Sequence, residues 1–279
     1  QMAMIGLSGR LGDVKLGRQV SPTYYAMAST DARGARYFGS TLTTLVGMNS
    51  ATRAWNGAGN AMMGTVYNDN SLTYTAPVFR NTTVSVQHAF GNVNGSDSAG
   101  AQDAITAMYN NGTGLRLSAL YYTGKGNGSA TLGSPTNTAT NTNRLTSFGA
   151  LYTLGAWTAS AAYFDGKNPS GTQVAATSTI VAGSSHMTAT AWGLAYQIND
   201  ELKVSGGYYA LNDKSNSGNK ANQFAISLDY TIFKDTIVYA QAASTSNTGS
   251  NMNLSPIFGT PTPAGKGNTA TMVGMRYTF

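Results

Sequence analysis

The sequence predicts an all-β chain, a transmembrane antiparallel up-and-down β-barrel. Three observations predict it: a composition poor in charge, strand-length segments of alternating polarity, and connections that are short and long by turns.

Only 10% of the 279 residues are charged, against about a quarter in an average soluble domain, so a water-facing surface would be short of charge. Mean hydropathy is −0.18, and no run approaches the roughly 18 consecutive apolar residues of a membrane-crossing helix. In lipid every backbone N–H and C=O must be bonded internally, and once helices are set aside a closed barrel is the remaining solution. Cysteine is absent, which excludes disulfides, thiolate metal sites and cysteine nucleophiles together. The first residues read as a strand, not as the charged start and apolar centre of a signal peptide, so the chain is expected to begin inside a mature fold.

Thirteen strands are expected, over residues 1–9, 13–19, 72–76, 82–90, 104–110, 115–122, 145–154, 157–164, 188–198, 202–211, 224–232, 236–243 and 271–279. The alternation is clear in Phe224, Ile226, Leu228, Tyr230 and Ile232 against Ala225, Ser227, Asp229 and Thr231. It recurs in Val273, Met275 and Tyr277 against Gly274, Arg276 and Thr278. One face of each strand should meet lipid and the other water. Tight turns fall near 10–12, 78–81, 111–113, 155–156, 199–201 and 233–235. Long polar connections cover 20–69, 91–103, 124–143, 165–187, 212–220 and 244–268. In a meander that alternation gathers every tight turn at one rim and every long loop at the other, as in outer-membrane barrels. No domain boundary is evident, so residues 1–279 are expected to form a single unit. Tyr74, Tyr109, Tyr121, Tyr152, Trp157, Tyr163, Trp192, Tyr196, Tyr208, Tyr230 and Tyr277 fall where strands should cross the lipid interfaces. They support the membrane reading over ordinary cross-strand packing, the alternative account.

Catalysis finds little support, since His88 and His186 stand in no nucleophile, metal or phosphate motif. Asp200 and Glu201 share a tight turn, which explains their polarity without acid–base chemistry. The basic excess, 17 Lys and Arg over 11 Asp and Glu, is dispersed and forms no phosphate track, which argues against nucleic acid.

At three points the residues resemble the general porins of β-proteobacteria: GLSGRLGDVKLGRQVSP at 6–22, NDNSLTYTAPVF at 68–79, and the terminal GMRYTF at 274–279. The resemblance implies a Gram-negative outer-membrane protein, a sixteen-stranded barrel of which residues 1–9 would be the fourth strand, the first three being missing. It implies a homotrimer embedded in outer-membrane lipid, passing small hydrophilic solutes and ions by passive diffusion, with no cofactor. It also implies that residues 20–69 fold into the bore as a constriction loop, and that Tyr277 and Phe279 belong to the outer-membrane assembly signal.

If residues 20–69 are that loop, Arg33, Arg36 and Arg53 would line the narrowest part of the bore, with Asp31 as their closest acidic counterpart in sequence. Arg116, Lys203 and Arg276 have bore-facing parity, as does Lys15 if Val14 and Leu16 face outward. A charge on the lipid face would cost about 2–4 kcal/mol at the midplane, which favours the bore for charges at strand centres. With only Asp31 and Asp229 in opposition, inorganic anions are expected to pass more readily than cations. Lys125, Lys167, Lys214, Lys220 and Lys266 read as solvated rim charges. A substrate-selective channel for organic anions or sugars is the alternative on the same barrel. A secreted β-rich adhesin is the reading from another class, and the sorting of loops by length argues against it.

Overall fold

The computed structural model describes residues 2–52, 66–91, 98–125, 130–131, 134–135, 142–168, 184–260 and 262–278. Its strands are β1 (Ala3–Gly9), β2 (Gly12–Val20), β3 (Tyr67–Thr75), β4 (Thr82–Ala89), β5 (Gln102–Asn110), β6 (Leu115–Lys125), β7 (Ala130–Thr131), β8 (Ser134–Pro135), β9 (Thr142–Leu154), β10 (Trp157–Lys167), β11 (His186–Gln197), β12 (Leu202–Asp213), β13 (Lys220–Phe233), β14 (Thr236–Thr248) and β15 (Asn268–Tyr277). Apart from β7 and β8, which pair only with each other, they form one thirteen-stranded sheet in which each strand is hydrogen-bonded to the next in sequence. Every pairing is antiparallel. The sheet is not closed: β1 and β15 are its two edges.

The tight turns form because their residues supply what two strand ends need. Arg80 and Asn81 both have positive φ, 48° and 62°, the left-handed pair that suits the twist of a hairpin. The Asn199 side-chain oxygen accepts from the amides of Glu201 and Leu202 at 3.1 and 2.7 Å, so Asp200 and Glu201 are turn residues, as their spacing suggests.

Most strands run past their expected ends. β3 begins at Tyr67, five residues before the expected start, because Asn68 and Ser71 pair with Gln19 and Gly17 across a register irregularity. Asn70, at φ 48°, gives this stretch the look of a turn.

Alternation is strict in β13, where Phe224, Ile226, Leu228 and Tyr230 are exposed while Ala225, Ser227 and Asp229 are buried. The inward faces depart from the expected uniform polarity. Toward the long-loop rim, Leu120, Tyr122, Leu145, Phe164, Met187 and Leu211 point into the barrel and are buried with Met27, Leu45 and Met48. Those partners come from two helices in the connection between β2 and β3, α1 (Pro22–Ser29) and α2 (Thr41–Ala51). Part of the interior is therefore a packed apolar core, because this segment, not water, covers those strand faces.

Candidate functional site: the segment inside the barrel

After β2 the chain turns inward. The Ser21 hydroxyl accepts from the Tyr24 amide at 3.1 Å and Pro22 opens the first turn, so α1 starts with a capped end. Ser40 and Thr43 form a reciprocal capping box at the start of α2. α1 packs on β5 and β6, and α2 on β11 and β12.

Between the helices the backbone crosses the inner wall at positions that carry almost no side chain. Thr30 Oγ1 and Ser118 Oγ are hydrogen-bonded at 3.0 Å directly over Gly149, where a Cβ would come within 2.1 Å of Thr30 Oγ1. The Ala32 amide donates to Ser160 Oγ at 3.0 Å, and at Gly193 a Cβ would stand 2.9 Å from the Ala32 methyl. Gly39 lies against Ala225 and Ala243. A belt of Gly, Ala and Ser on the inward faces of β6 and β9–β14 is thus the seat of the segment. Sequence reasoning missed it. Its signal was there in the small residues at bore-facing parity in mid-strand, where a water-filled channel could carry larger polar groups.

Arg33 is 1% exposed. Its guanidinium donates to the carbonyls of Gly39 at 2.8 Å, Ser205 at 3.2 Å and Phe38 at 3.4 Å, binding the segment to itself and to β12. Desolvation lowers its pKa from the ordinary arginine value, and it stays cationic because that value starts so high. The expected partnership with Asp31 takes another form: the Asp31 carboxylate accepts from the amides of Arg33 at 2.9 Å, Ala35 at 3.1 Å and Thr41 at 3.2 Å. Asp31 folds the backbone around Arg33 without contacting its guanidinium.

Arg36 makes a bidentate ion pair with Asp229 of β13, one of its two contacts being 2.9 Å. Lys203 is the register partner of Asp229, so a second cation stands beside the carboxylate that Arg36 takes up. Arg276, with inward parity near the tight-turn rim, lines a cleft open at the free β15 edge with Arg36, Tyr24, Tyr239, Met275 and Tyr277. Lys15 stands on the inward face of β2 opposite Gly6 and Thr73, with Val14 and Leu16 exposed outward. Arg116 is inward by parity and exposed near the tight-turn end of β6. Tyr277 is exposed on β15. Arg53 and Phe279 lie outside the described residues.

The described part of the β2–β3 connection is thus packed on the inward face of an up-and-down antiparallel sheet. The sequence profile of the Gram-negative porins matches residues 1–250. The chain belongs to the Gram-negative porin family. In fold it resembles an anion-selective porin from Comamonas acidovorans, at 21% identity and a TM-score of 0.76 over 100% of this chain and 78% of that one. It also resembles OmpT of Vibrio cholerae in a trimer form (16% identity, TM-score 0.67, 99% and 80% covered). OmpF of Salmonella typhi in complex with daunomycin is similar at 18% identity and a TM-score of 0.61, with 95% and 75% covered. No curated protein sequence matches this chain. This porin is an outer-membrane diffusion channel of a Gram-negative bacterium.

Proposed function

We propose that this porin passes small hydrophilic solutes passively, prefers anions, and works as a homotrimer without a cofactor or a bond-making step. In this reading residues 20–69 are the constriction loop, and the unpaired edges of the sheet belong to a sixteen-stranded barrel. Thirteen antiparallel strands would bring their edges together in parallel, which single-chain bacterial barrels avoid by having even counts.

The observation that carries the anion preference is the unequal sharing of charge at the level of Asp229. Arg36 takes up that carboxylate in a bidentate pair, while Lys203 stands beside it in register and Arg276 shares the cleft with Arg36. The local balance favours an entering anion that has lost part of its hydration. Arg33 enters this reading as the residue that holds the loop, not as a solvent-facing filter. The cleft's tyrosines beside its arginines make small organic anions the second class of solute.

Selectivity is tested in planar bilayers under a salt gradient. Lys203→Gln with Arg276→Gln is expected to move the zero-current potential toward cations, and more so at low salt, where screening is weaker. A unit charge about 4 Å from the ion's path is worth roughly 1 kcal/mol in water, or about a fivefold change in relative permeability per charge removed. A double variant with the parent's potential at every salt concentration would remove these residues from the filter. The homotrimer is expected from the family, and OmpT of Vibrio cholerae is similar in a trimer form. Sedimentation in detergent should give a three-chain mass, and a single-chain mass alone would count against it.

A further inference from the structure

The side of the inward segment turned away from the wall carries groups for which charge selection alone has no use. α1 lies against β5 and β6, and α2 against β11 and β12. Among the described residues of the segment, 21–52, only Tyr25, Gly34 and Tyr37 are exposed, and Tyr24 and Arg36 are half-buried beside them. The free side of the segment is therefore built of phenol rings with one cation among them. Apolar ring surface left in water forgoes the free energy of burial, and Tyr37 is 52% exposed.

That ring is nevertheless fixed. Phe258, from the connection between β14 and β15, meets Tyr37 edge-on, with centroids 5.0 Å apart and planes at 89°. The Phe258 amide donates to the Tyr37 carbonyl at 2.9 Å, and the Gly39 amide to the Pro256 carbonyl at 2.8 Å. Phe38 and Ile257 complete the tie as a β-bridge. Tyr37 is thus held in place with about half of its surface open.

Charge stands beside the rings. Tyr24, Arg36, Tyr37, Tyr239 and Arg276 border one cleft. Tyr239 is the register partner of Gly274, where a Cβ would come within 2.6 Å of the tyrosine hydroxyl, so the missing side chain at 274 makes room for that ring. Arg36 is engaged by Asp229, whereas Arg276 is exposed and, among the described residues, forms no ion pair. Burial, and then the nearby Tyr37, Tyr67 and Tyr25, raise the Tyr24 hydroxyl above the ordinary tyrosine value, so an anion meets it as a neutral donor. Rings alone would suit a sugar and cations alone an inorganic anion; the two together suit a solute that is flat, apolar and negatively charged.

We propose that Tyr24, Tyr37, Tyr239 and Arg276 form a subsite for small aromatic carboxylates, one ring bearing one carboxylate. This rests on the reading of the chain as an anion-preferring barrel of sixteen strands, in which the cleft belongs to the bore. Arg276 takes the carboxylate with two parallel N–H donors, and the solute's ring packs against Tyr37 and Tyr239. A well-placed aromatic pair is worth roughly two- to tenfold in affinity, so an aromatic acid binds that much more tightly than a saturated acid of the same charge.

The test is block of chloride current through the full-length protein in planar bilayers, with benzoate, cyclohexanecarboxylate and benzyl alcohol as probes. The two acids share their charge and a six-membered ring and differ in the π-face, while benzyl alcohol keeps the aromatic ring without the charge. Half-block of the parent should need roughly two- to tenfold less benzoate than cyclohexanecarboxylate, and benzyl alcohol should not block over the same range. Tyr37→Leu with Tyr239→Leu keeps apolar volume without rings and should bring the two acids to equal potency. Arg276→Gln should raise the benzoate needed by about fivefold, the worth of one charge about 4 Å away in water. Equal block by the two acids in the parent, an unchanged ratio in the double leucine variant, unchanged benzoate block in Arg276→Gln, or block by benzyl alcohol as strong as by benzoate would overturn the subsite. The parent comparison needs no variant, so it stays decisive where a variant fails to fold. The zero-current potential in potassium chloride alone reports the anion preference: a parent that prefers anions yet does not separate the two acids loses the subsite and keeps the selectivity reading.

Discussion

Replacing Arg33 by methionine should free the inward segment from the wall while leaving the barrel assembled. The guanidinium satisfies the carbonyls of Gly39, Phe38 and Ser205 where water does not reach, and a buried acceptor left without a donor costs about 1–3 kcal/mol. Removing a desolvated charge returns part of that. The net loosening should be a few kcal/mol and local, because the ladders between strands involve none of these contacts. A nonspecific protease should then cut between β2 and β3 much faster than in the parent, and single-channel current should become noisier. The heat-dependent gel shift of the folded barrel should stay the same. Parent rates of cleavage with quiet current would show that Arg33 does not hold the segment.

Legibility in the sequence followed the solvent. β13 could be read almost residue by residue, because lipid on one side and polar groups on the other impose period two on Phe224, Ile226, Leu228 and Tyr230 against their neighbours. The alternation was harder to see where Leu120, Leu145, Phe164, Met187 and Leu211 face inward, since both strand faces there are apolar and only the outer one meets lipid. The first residues of β3 were missed because Asn68, Asp69 and Asn70 are turn formers by type, and only their pairing with β2 makes them strand. The arginines of residues 20–69 were expected to line the bore, but the contacts of Arg33 and Arg36 were not legible. Nothing local in sequence joins Arg36 to Asp229, 193 positions away, or turns Arg33 toward carbonyls. Parity assigns Lys203 and Arg276 a face from the strand alone, since a strand's facing is a local property while a loop's contacts are not.

Substituting valine for Gly149 separates the barrel from its contents by opposing two effects at one atom. Valine suits a strand better than glycine, by up to about 1 kcal/mol, so β9 itself should not weaken. Its Cβ, however, would stand 2.1 Å from Thr30 Oγ1, 2.9 Å from Thr30 Cβ and 2.7 Å from Ser118 Oγ, and would break the hydrogen bond between those hydroxyls. Overpacking of this kind costs about 1–3 kcal/mol when the surroundings are rigid. Here the wall is a continuous ladder and the segment is the movable partner, so the segment should give way, and its one free direction is toward the bore axis. The expected result is a folded barrel with a lower single-channel conductance than the parent. Adding Thr30→Gly to a Gly149→Ala background removes both offending atoms of Thr30, so conductance should return toward the parent value. That rescue would be a coupling between the two sites beyond the sum of their separate effects. If Gly149→Val kept the parent conductance, or if Thr30→Gly failed to restore it in the alanine background, the small-residue belt would not be what seats the segment.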